Sequence, residues 1–287
     1  RVALVTGRPL LLLGHPGSGK SSIAAYVARN LGWRYYELVV TARTEARDLL
    51  WRFDMVHRLA DAQVRKGVEL NDIDYVEPGP LWWAIDPASA RIRGRRKGAE
   101  PATEAEDPFR SVNADRDEEG AVVLIDELDK ADPDVPSSLL VPLGSLRFTV
   151  TETGGEVSVP ASDGEEPRRL VIVTSNEERD LPTAFVRRCI VLRLDLPGVD
   201  GLVEIANRHL RSEGRVPTAD QQIRIREIAG RVVAARPASP SPDEHVPSVA
   251  EFLDAVRAML DLGHLLSAED WAVVEELTVT KSLHEGY

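Results

Sequence analysis

The sequence predicts an α/β fold: a parallel sheet flanked by helices, followed by an all-helical segment. Three observations lead there. Leu10–Leu13 is a short apolar run that breaks into a glycine-rich turn and continues directly into helix formers, a strand–turn–helix unit. Ala121-Val122-Val123-Leu124-Ile125 is a continuous apolar run ended by Asp126-Glu127, as expected of a central parallel strand buried on both faces. Beyond Pro197-Gly198 only helical periodicity remains.

The remaining elements follow in order. Residues 22–31 read as a helix stopped by Gly32, a natural C-terminal residue. Trp33 to Val40 is aromatic and β-branched and reads as the second strand. Thr41 to Val64 reads as a helix, with Leu49, Leu50, Phe53, Val56 and Leu59 at helical spacing. Residues 67–90 combine prolines with Tyr75, Trp82 and Trp83, so an ordered insertion is expected. Arg91 to Asn113 places Arg91, Arg93, Arg95, Arg96 and Lys97 before Glu100, Glu104, Glu106 and Asp107. It reads as a solvated loop, with a partner- or nucleic-acid-binding loop as the other reading.

A helix is expected over Pro136 to Leu143, then a hairpin over Arg147 to Val159 around Thr153-Gly154-Gly155. Leu170 to Ser175 reads as another buried strand, Pro182 to Arg188 as a helix and Ile190 to Leu194 as the last of five strands. Four helices are expected beyond 197. Their apolar stripes are Leu202, Ile205, Ala206, His209 and Leu210; Ile223, Ile225, Ile228, Val232 and Val233; Phe252, Val256, Met259 and Leu260; and a last helix over Trp271 to Leu277. Arg236 to Pro247 is a proline- and serine-rich connector. The expected division is a large α/β nucleotide-binding subdomain over 1–197, with insertions at about 67–113 and a hairpin at 147–159, and a helical subdomain over 198–287.

Composition narrows the function classes. The 287 residues carry 47 Asp and Glu against 35 Lys and Arg, a net charge of -12, which disfavours a general polyanion binder and makes nucleic acid an unlikely partner. No run of about 18 apolar residues occurs, so no membrane span is expected. The single cysteine, Cys189, excludes an internal disulfide and, with no leader pattern, points to a reducing cytoplasm. Beginning at Arg1 without a methionine, the sequence reads as a segment of something longer.

The chemistry concentrates in the first turn. Gly14-His15-Pro16-Gly17-Ser18-Gly19-Lys20-Ser21 fulfils G-x-x-x-x-G-K-[ST] at Gly14, Gly19, Lys20 and Ser21. Gly17 and Gly19 lack Cβ atoms, so successive backbone N–H groups can turn toward one anion. The helix that follows, with Ser22 in its first turn, adds its free N–H groups and positive end. Lys20 would reach the β- and γ-phosphates, and the Ser21 hydroxyl would hold Mg²⁺. Residues 14–22 thus form a nucleotide-phosphate site.

Hydrolysis needs a second, acidic site at the end of a neighbouring strand. Asp126 would hold Mg²⁺ and Glu127 would act on the attacking water as general base; Asp129 reads as a surface or structural acid. Asn176, after Thr174-Ser175, either orients that water or forms a turn. Arg187 and Arg188 close a short helix, where they suit a trans-acting arginine finger or simply complement the helix dipole.

With these motifs the chain resembles AAA+ ATPases. Gly7-Arg8-Pro9-Leu10-Leu11-Leu12, Glu77-Pro78-Gly79-Pro80-Leu81 and Asp126-Glu127-Leu128-Asp129-Lys130-Ala131 further resemble the MoxR-like branch, related to the dynein/midasin group. The resemblance covers about residues 3–262. It implies a P-loop NTPase core with a helical lid, ATP and Mg²⁺ bound between subunits of a hexameric ring, and chaperone-like remodelling of partner proteins, often ones with von Willebrand factor A domains. It also implies Arg188 as the first finger candidate and Arg187 as the second. Where such lids supply an Arg or Lys toward the nucleotide, this chain offers His245, with Arg236 well upstream. Two readings share the same core: a nucleotide-controlled scaffold module with slow turnover, and a nucleic-acid-associated restriction-type NTPase using Arg91–Lys97 as its basic surface.

Overall fold

In the computed structural model, which describes residues 1–65, 69–95, 104–160, 168–237 and 246–262, Val2–Thr6 (α1) leads through Gly7 into Leu10–Leu13 (β1). Lys20–Leu31 (α2) and Trp33–Val39 (β2) follow. Between β2 and the long strand lie Trp51–Phe53 (β3), Met55–Val64 (α3), Val76–Pro78 (β4), Pro80–Ile85 (α4), Pro87–Arg91 (α5) and Arg110–Asn113 (α6). The long strand is Asp117–Asp126 (β5). Asp134–Ser138 (α7), Leu140–Ser145 (α8) and the hairpin Arg147–Thr149 (β6) and Glu156–Ser158 (β7) lead to Arg168–Ser175 (β8). Thr183–Val186 (α9) and Ile190–Arg193 (β9) precede the helices Val199–Ser212 (α10), Ala219–Ala234 (α11) and Val249–Leu262 (α12).

The five-stranded sheet has the order β2-β5-β8-β1-β9, and every pairing in it is parallel. Val122 to Ile125 on β5 and Leu170 to Val173 on β8 are buried, because central parallel strands carry packed elements on both faces. Their side chains divide by strand alternation: Val123, Ile125, Val171 and Val173 join the larger core, and Val122, Leu124, Leu170 and Ile172 the smaller one around Ala24, Ala28 and Trp33. Each large side chain so buried contributes about 1.5–3 kcal/mol.

By contact density the chain forms two units, Arg1–Leu13 with Lys20–Arg193, and Gly14–Gly19 with Leu194–Tyr287. In the second, α10, α11 and α12 bury Leu202, Ala206, Leu210, Ile225, Ile228, Val232, Phe252, Val256 and Met259. Thr218 and Gln221 cap α11 reciprocally, and Ser248 and Glu251 do the same for α12. Arg236 donates to the carbonyls of Pro197 and Pro247, so it braces this unit internally. His245 and the expected helix over Trp271 to Leu277 lie outside the described residues.

Three expectations are corrected. Thr41 to Val64 is not one helix: residues 46–49 form a 3₁₀ turn, Trp51–Phe53 is a strand paired antiparallel with Val76–Pro78, and Asp54 caps the helix that starts at Met55. The strand forms because Trp51 packs on Phe148 with rings stacked 5.6 Å apart, and its Nε1 donates to Glu152 at 2.7 Å. Val56 and Leu59, part of the expected helical spacing, are exposed on α3, as are Met55 and Val64. The segment expected as a helix over Pro136 to Leu143 is two short helices, α7 and α8.

The third correction concerns Arg91 to Asn113, of which residues 96–103 lie outside the described part. The rest is a solvated loop only in part: Arg91, Glu104 and Glu106 are exposed, but other residues are engaged by the fold. Arg93 Nε donates to the Val76 carbonyl at 3.0 Å, and Arg95, only 12% exposed, pairs with Asp74. Phe109 meets Tyr35 and Tyr36 edge-on. Asn113, buried, accepts from Tyr35 N at 2.8 Å and donates to Tyr35 O at 3.2 Å. A side-chain amide there mimics a further strand and closes the edge of β2. Among the described residues no helix is long and apolar enough to cross a membrane.

Asn113→Ala leaves a buried donor and acceptor of Tyr35 without partners, so a loss of about 1–3 kcal/mol is expected. It would be measured as a lower urea midpoint with an unchanged denaturant slope, and a midpoint within error of the parent would refute the edge-closing role.

Candidate active site

The acidic turn at the end of β5 is built by two neighbouring strands and the first turn of α2. Asp126 Oδ1 accepts from Ser21 Oγ at 2.8 Å and from Thr174 Oγ1 at 2.6 Å. The Thr174 hydroxyl in turn accepts from Glu127 N at 2.8 Å. One buried hydroxyl on β8 therefore holds the carboxylate of Asp126 and the backbone of Glu127 that follows it. The Asp126 carbonyl accepts from Val40 N at 2.8 Å, which anchors the same turn from the β2 side.

Glu127 adopts φ +60°, a left-handed conformation that non-glycine residues adopt at a cost of about 1–3 kcal/mol. Strain of this kind persists where surrounding bonds over-determine it. Its carboxylate is held at both oxygens: Asn176 Nδ2 donates to Oε1 at 3.2 Å and Lys130 Nζ to Oε2 at 2.8 Å. Glu127 and Lys130 also line a cavity of about 400 Å³ with Thr41, Glu178 and Arg179, so the carboxylate lies beside open space.

Asp129 is buried, and its Oδ2 accepts from the backbone N–H groups of Asn176 and Glu178 at 3.1 and 3.0 Å. It is the structural acid that holds the loop after β8 against the turn after β5. Lys20 is buried at the start of α2; burial pushes its ammonium below the usual lysine range, while Asp126, Asp129, Glu127 and Glu177 pull it back up. Lys20 and Ser21 thus lie at the same sheet edge as Asp126, Glu127 and Asn176.

The loop Gly14–Gly19 groups with the second unit. Gly14 has φ +150°, and a Cβ there would meet the Leu194 carbonyl oxygen at 2.4 Å. Gly17 has φ +71°, and a Cβ would meet that of Ser248 at 2.2 Å. Val249 N donates to the Gly17 carbonyl at 3.3 Å, and Ser18 N to that of His15. His15 and Pro16 are exposed, as is Ser22 on the first turn of α2.

Arg187 and Arg188 stand at the other edge of the sheet. They precede β9, whose first residue Ile190 pairs with Leu10, the first residue of β1. Asp126 is the last residue of β5 and Asn176 follows the last residue of β8, roughly 13 Å away along a four-residue strand. Both arginines are exposed, and Arg188 Nη1 donates to the Ala184 carbonyl at 3.2 Å. The structure therefore brings Lys20, Ser21, Asp126, Glu127 and Asn176 together and leaves the arginine pair apart.

Residues 9–189 match the family model for the AAA domain of the dynein-related subfamily. The chain belongs to that family. Among solved structures this AAA domain is similar to the Thermotoga maritima RuvB Holliday junction branch migration motor, with 13% identity over 96% of this chain and 64% of that one and a TM-score of 0.48. It is similar also to the AAA domain of FIGL-1 in complex with ADP, with 17% identity over 95% of this chain and 67% of that one and a TM-score of 0.42. The chain thus spans less than two thirds of the RuvB chain. No curated protein matches its sequence.

The residues suit the ATP and Mg²⁺ that AAA domains use. Ser21 and Asp126 present a hydroxyl and a carboxylate converging at 2.8 Å, hard oxygen donors that leave the other positions of Mg²⁺ to water and phosphate. The sequence singled out neither Thr174 nor Lys130. The hydroxyl that ends the apolar run Leu170 to Val173 was the available signal for Thr174, since a buried hydroxyl needs a partner.

Thr174→Val keeps the volume and removes the hydroxyl shared by Asp126 and Glu127 N. A loss of about 1–3 kcal/mol in urea-unfolding free energy is expected from the orphaned groups; a neutral result would show that the turn is held by other contacts.

Proposed function

We propose that this AAA domain binds ATP with Mg²⁺ and hydrolyses it between subunits of a hexameric ring, to remodel or assemble a partner protein in the manner of the MoxR-like branch. The observation that carries the reading is the Asn176–Glu127 contact beside the Asp126–Ser21 pair. An amide and a carboxylate there can orient and deprotonate a water, while a hydroxyl and a carboxylate are ready for a metal. Mg²⁺ would neutralise phosphate charge as it develops. Lys20 would pair with the terminal phosphates, and the loop 14–19 with Ser22 would surround them with N–H groups.

The position of Arg187 and Arg188 supports assembly. At the sheet edge opposite Asp126 and Glu127 they are too far to serve their own chain's acids, and they suit a neighbour's γ-phosphate, where a finger arginine acts. The exposed apolar residues Met55, Val56, Leu59 and Val64 on α3 favour a protein partner over a polyanion. So does the engagement of Arg93 and Arg95 within the fold, which weakens the nucleic-acid reading. On the MoxR-like reading the partner carries a von Willebrand factor A domain and the ring works in the cytoplasm.

Purified protein at micromolar concentration is expected to show Mg²⁺-dependent ATP hydrolysis. Glu127→Gln should lower kcat by about 10²–10⁴-fold while an ATP analogue still binds, and Lys20→Ala should lose that binding. Light scattering should report a larger assembly with ATP than without. No metal-dependent turnover in the parent protein, or full activity in Glu127→Gln, would sink the proposal.

A further inference from the structure

Arg8 stands at the entrance to β1, between Gly7 and the buried Pro9. Its guanidinium turns toward the end of α9: Nε donates to the Arg188 carbonyl at 3.1 Å, and Nη2 donates to the carbonyls of Arg187 and Cys189, the latter at 2.9 Å. These three carbonyls belong to the turn that carries Arg187 and Arg188 out of a four-residue helix, and carbonyls at a helix end have no partner inside the helix. Phe185 and Cys189 anchor the turn in the core. The turn also borders a cavity of about 310 Å³ lined by Arg8, Pro9, Leu140, Leu143 and Gly144, so packing alone leaves it partly unsupported. Ile190 N adds one main-chain bond, to the Pro9 carbonyl at 2.8 Å.

The three arginines at this place are thus engaged differently. Arg8 is spent on main-chain carbonyls, whereas Arg187 and Arg188 make no ion pair with a carboxylate among the described residues. A planar guanidinium offers donors on several edges in fixed directions and can serve three carbonyls at once; an ammonium on a flexible stem does not reproduce that geometry.

We infer that Arg8 is a positioning residue: by holding the carbonyls of Arg187, Arg188 and Cys189 it fixes the direction in which the two exposed arginines leave the chain, and so sets the rate of hydrolysis in a neighbouring subunit. This rests on the ring-ATPase reading above. Arg8 itself touches no nucleotide on this reading, since Nε and Nη2 are turned to main-chain carbonyls and it lies at the sheet edge away from Lys20 and Asp126.

Arg8→Lys in the full chain tests it. A fall in kcat of about tenfold or more is expected, with KM for ATP and analogue affinity within about twofold of the parent. The double variant Arg8→Lys/Arg188→Ala should lose no more than Arg188→Ala alone. The decisive readout is mixed assembly. Glu127→Gln subunits have silent sites but intact arginines, so mixing them in should restore turnover per Arg8→Lys subunit; Arg188→Ala subunits should not restore it. An unchanged kcat, losses that add in the double variant, no rescue by Glu127→Gln subunits, or failure of Arg8→Lys to fold would each overturn the inference, the last by making Arg8 a folding residue. Absence of turnover with Arg8 in place is a different result: it overturns the ATPase reading, and this one with it.

Discussion

Three carboxylates, Asp126, Glu127 and Asp129, fall within four residues at the end of a buried strand, where like charges repel more strongly than in water. Much of the surrounding structure answers that repulsion, with a different chemical group for each acid. Asp126 is met by two hydroxyls, from Ser21 and Thr174. Glu127 is met by the Asn176 amide and the Lys130 ammonium, and Asp129 by two backbone N–H groups. The buried ammonium of Lys20 stands near all three. Because the partners come from α2, β8 and the loops after β5 and β8, balancing these charges also fixes the relative positions of the groups that would act on a nucleotide.

This balance explains why the elements at the active edge are short and bonded to one another. The turn after β5 carries a left-handed Glu127, and the loop after β8 a left-handed Glu177. Each strained residue adjoins a group that the next strand holds: Thr174 takes the Glu127 amide, and Asp129 takes the amides on both sides of Glu177. Strain and hydrogen bonding are thus two sides of one arrangement, in which β5 and β8 cannot move apart without exposing an unpaired acid.

At the other edge the same economy uses cations. Arg8 gathers the carbonyls that follow α9, while Arg34 and Arg169 donate to the carbonyls of Trp83 and Ile85 at the end of α4. Positive charge suits the carbonyl end of a helix, and each arginine does it for an element only a few residues long. Burial pushes the Arg169 guanidinium down to about 10 and the Cys189 thiol up to about 11, which leaves Cys189 un-ionised and chemically quiet at neutral pH.

The amino-acid sequence by itself determined the parallel sheet and the phosphate-loop motif, and it set Asp126, Glu127 and Asn176 at the ends of buried strands. Those features are local: apolar runs ended by polar groups specify buried strands, and parallel strands bring their C-terminal ends to one edge. What only the tertiary structure decided depends on residues far apart in the chain. Trp51 to Phe53 became a strand because Phe148 and Glu152, about a hundred positions away, take the Trp51 ring and its N–H. The charged segment near Asn113 became ordered because the edge of β2 offered a free N–H and C=O. Thr174 and Arg8 are ordinary in sequence and acquire meaning through the carboxylate and carbonyls they meet. Hydrogen-bond partners are assigned by folding, and no periodicity in the chain records them in advance.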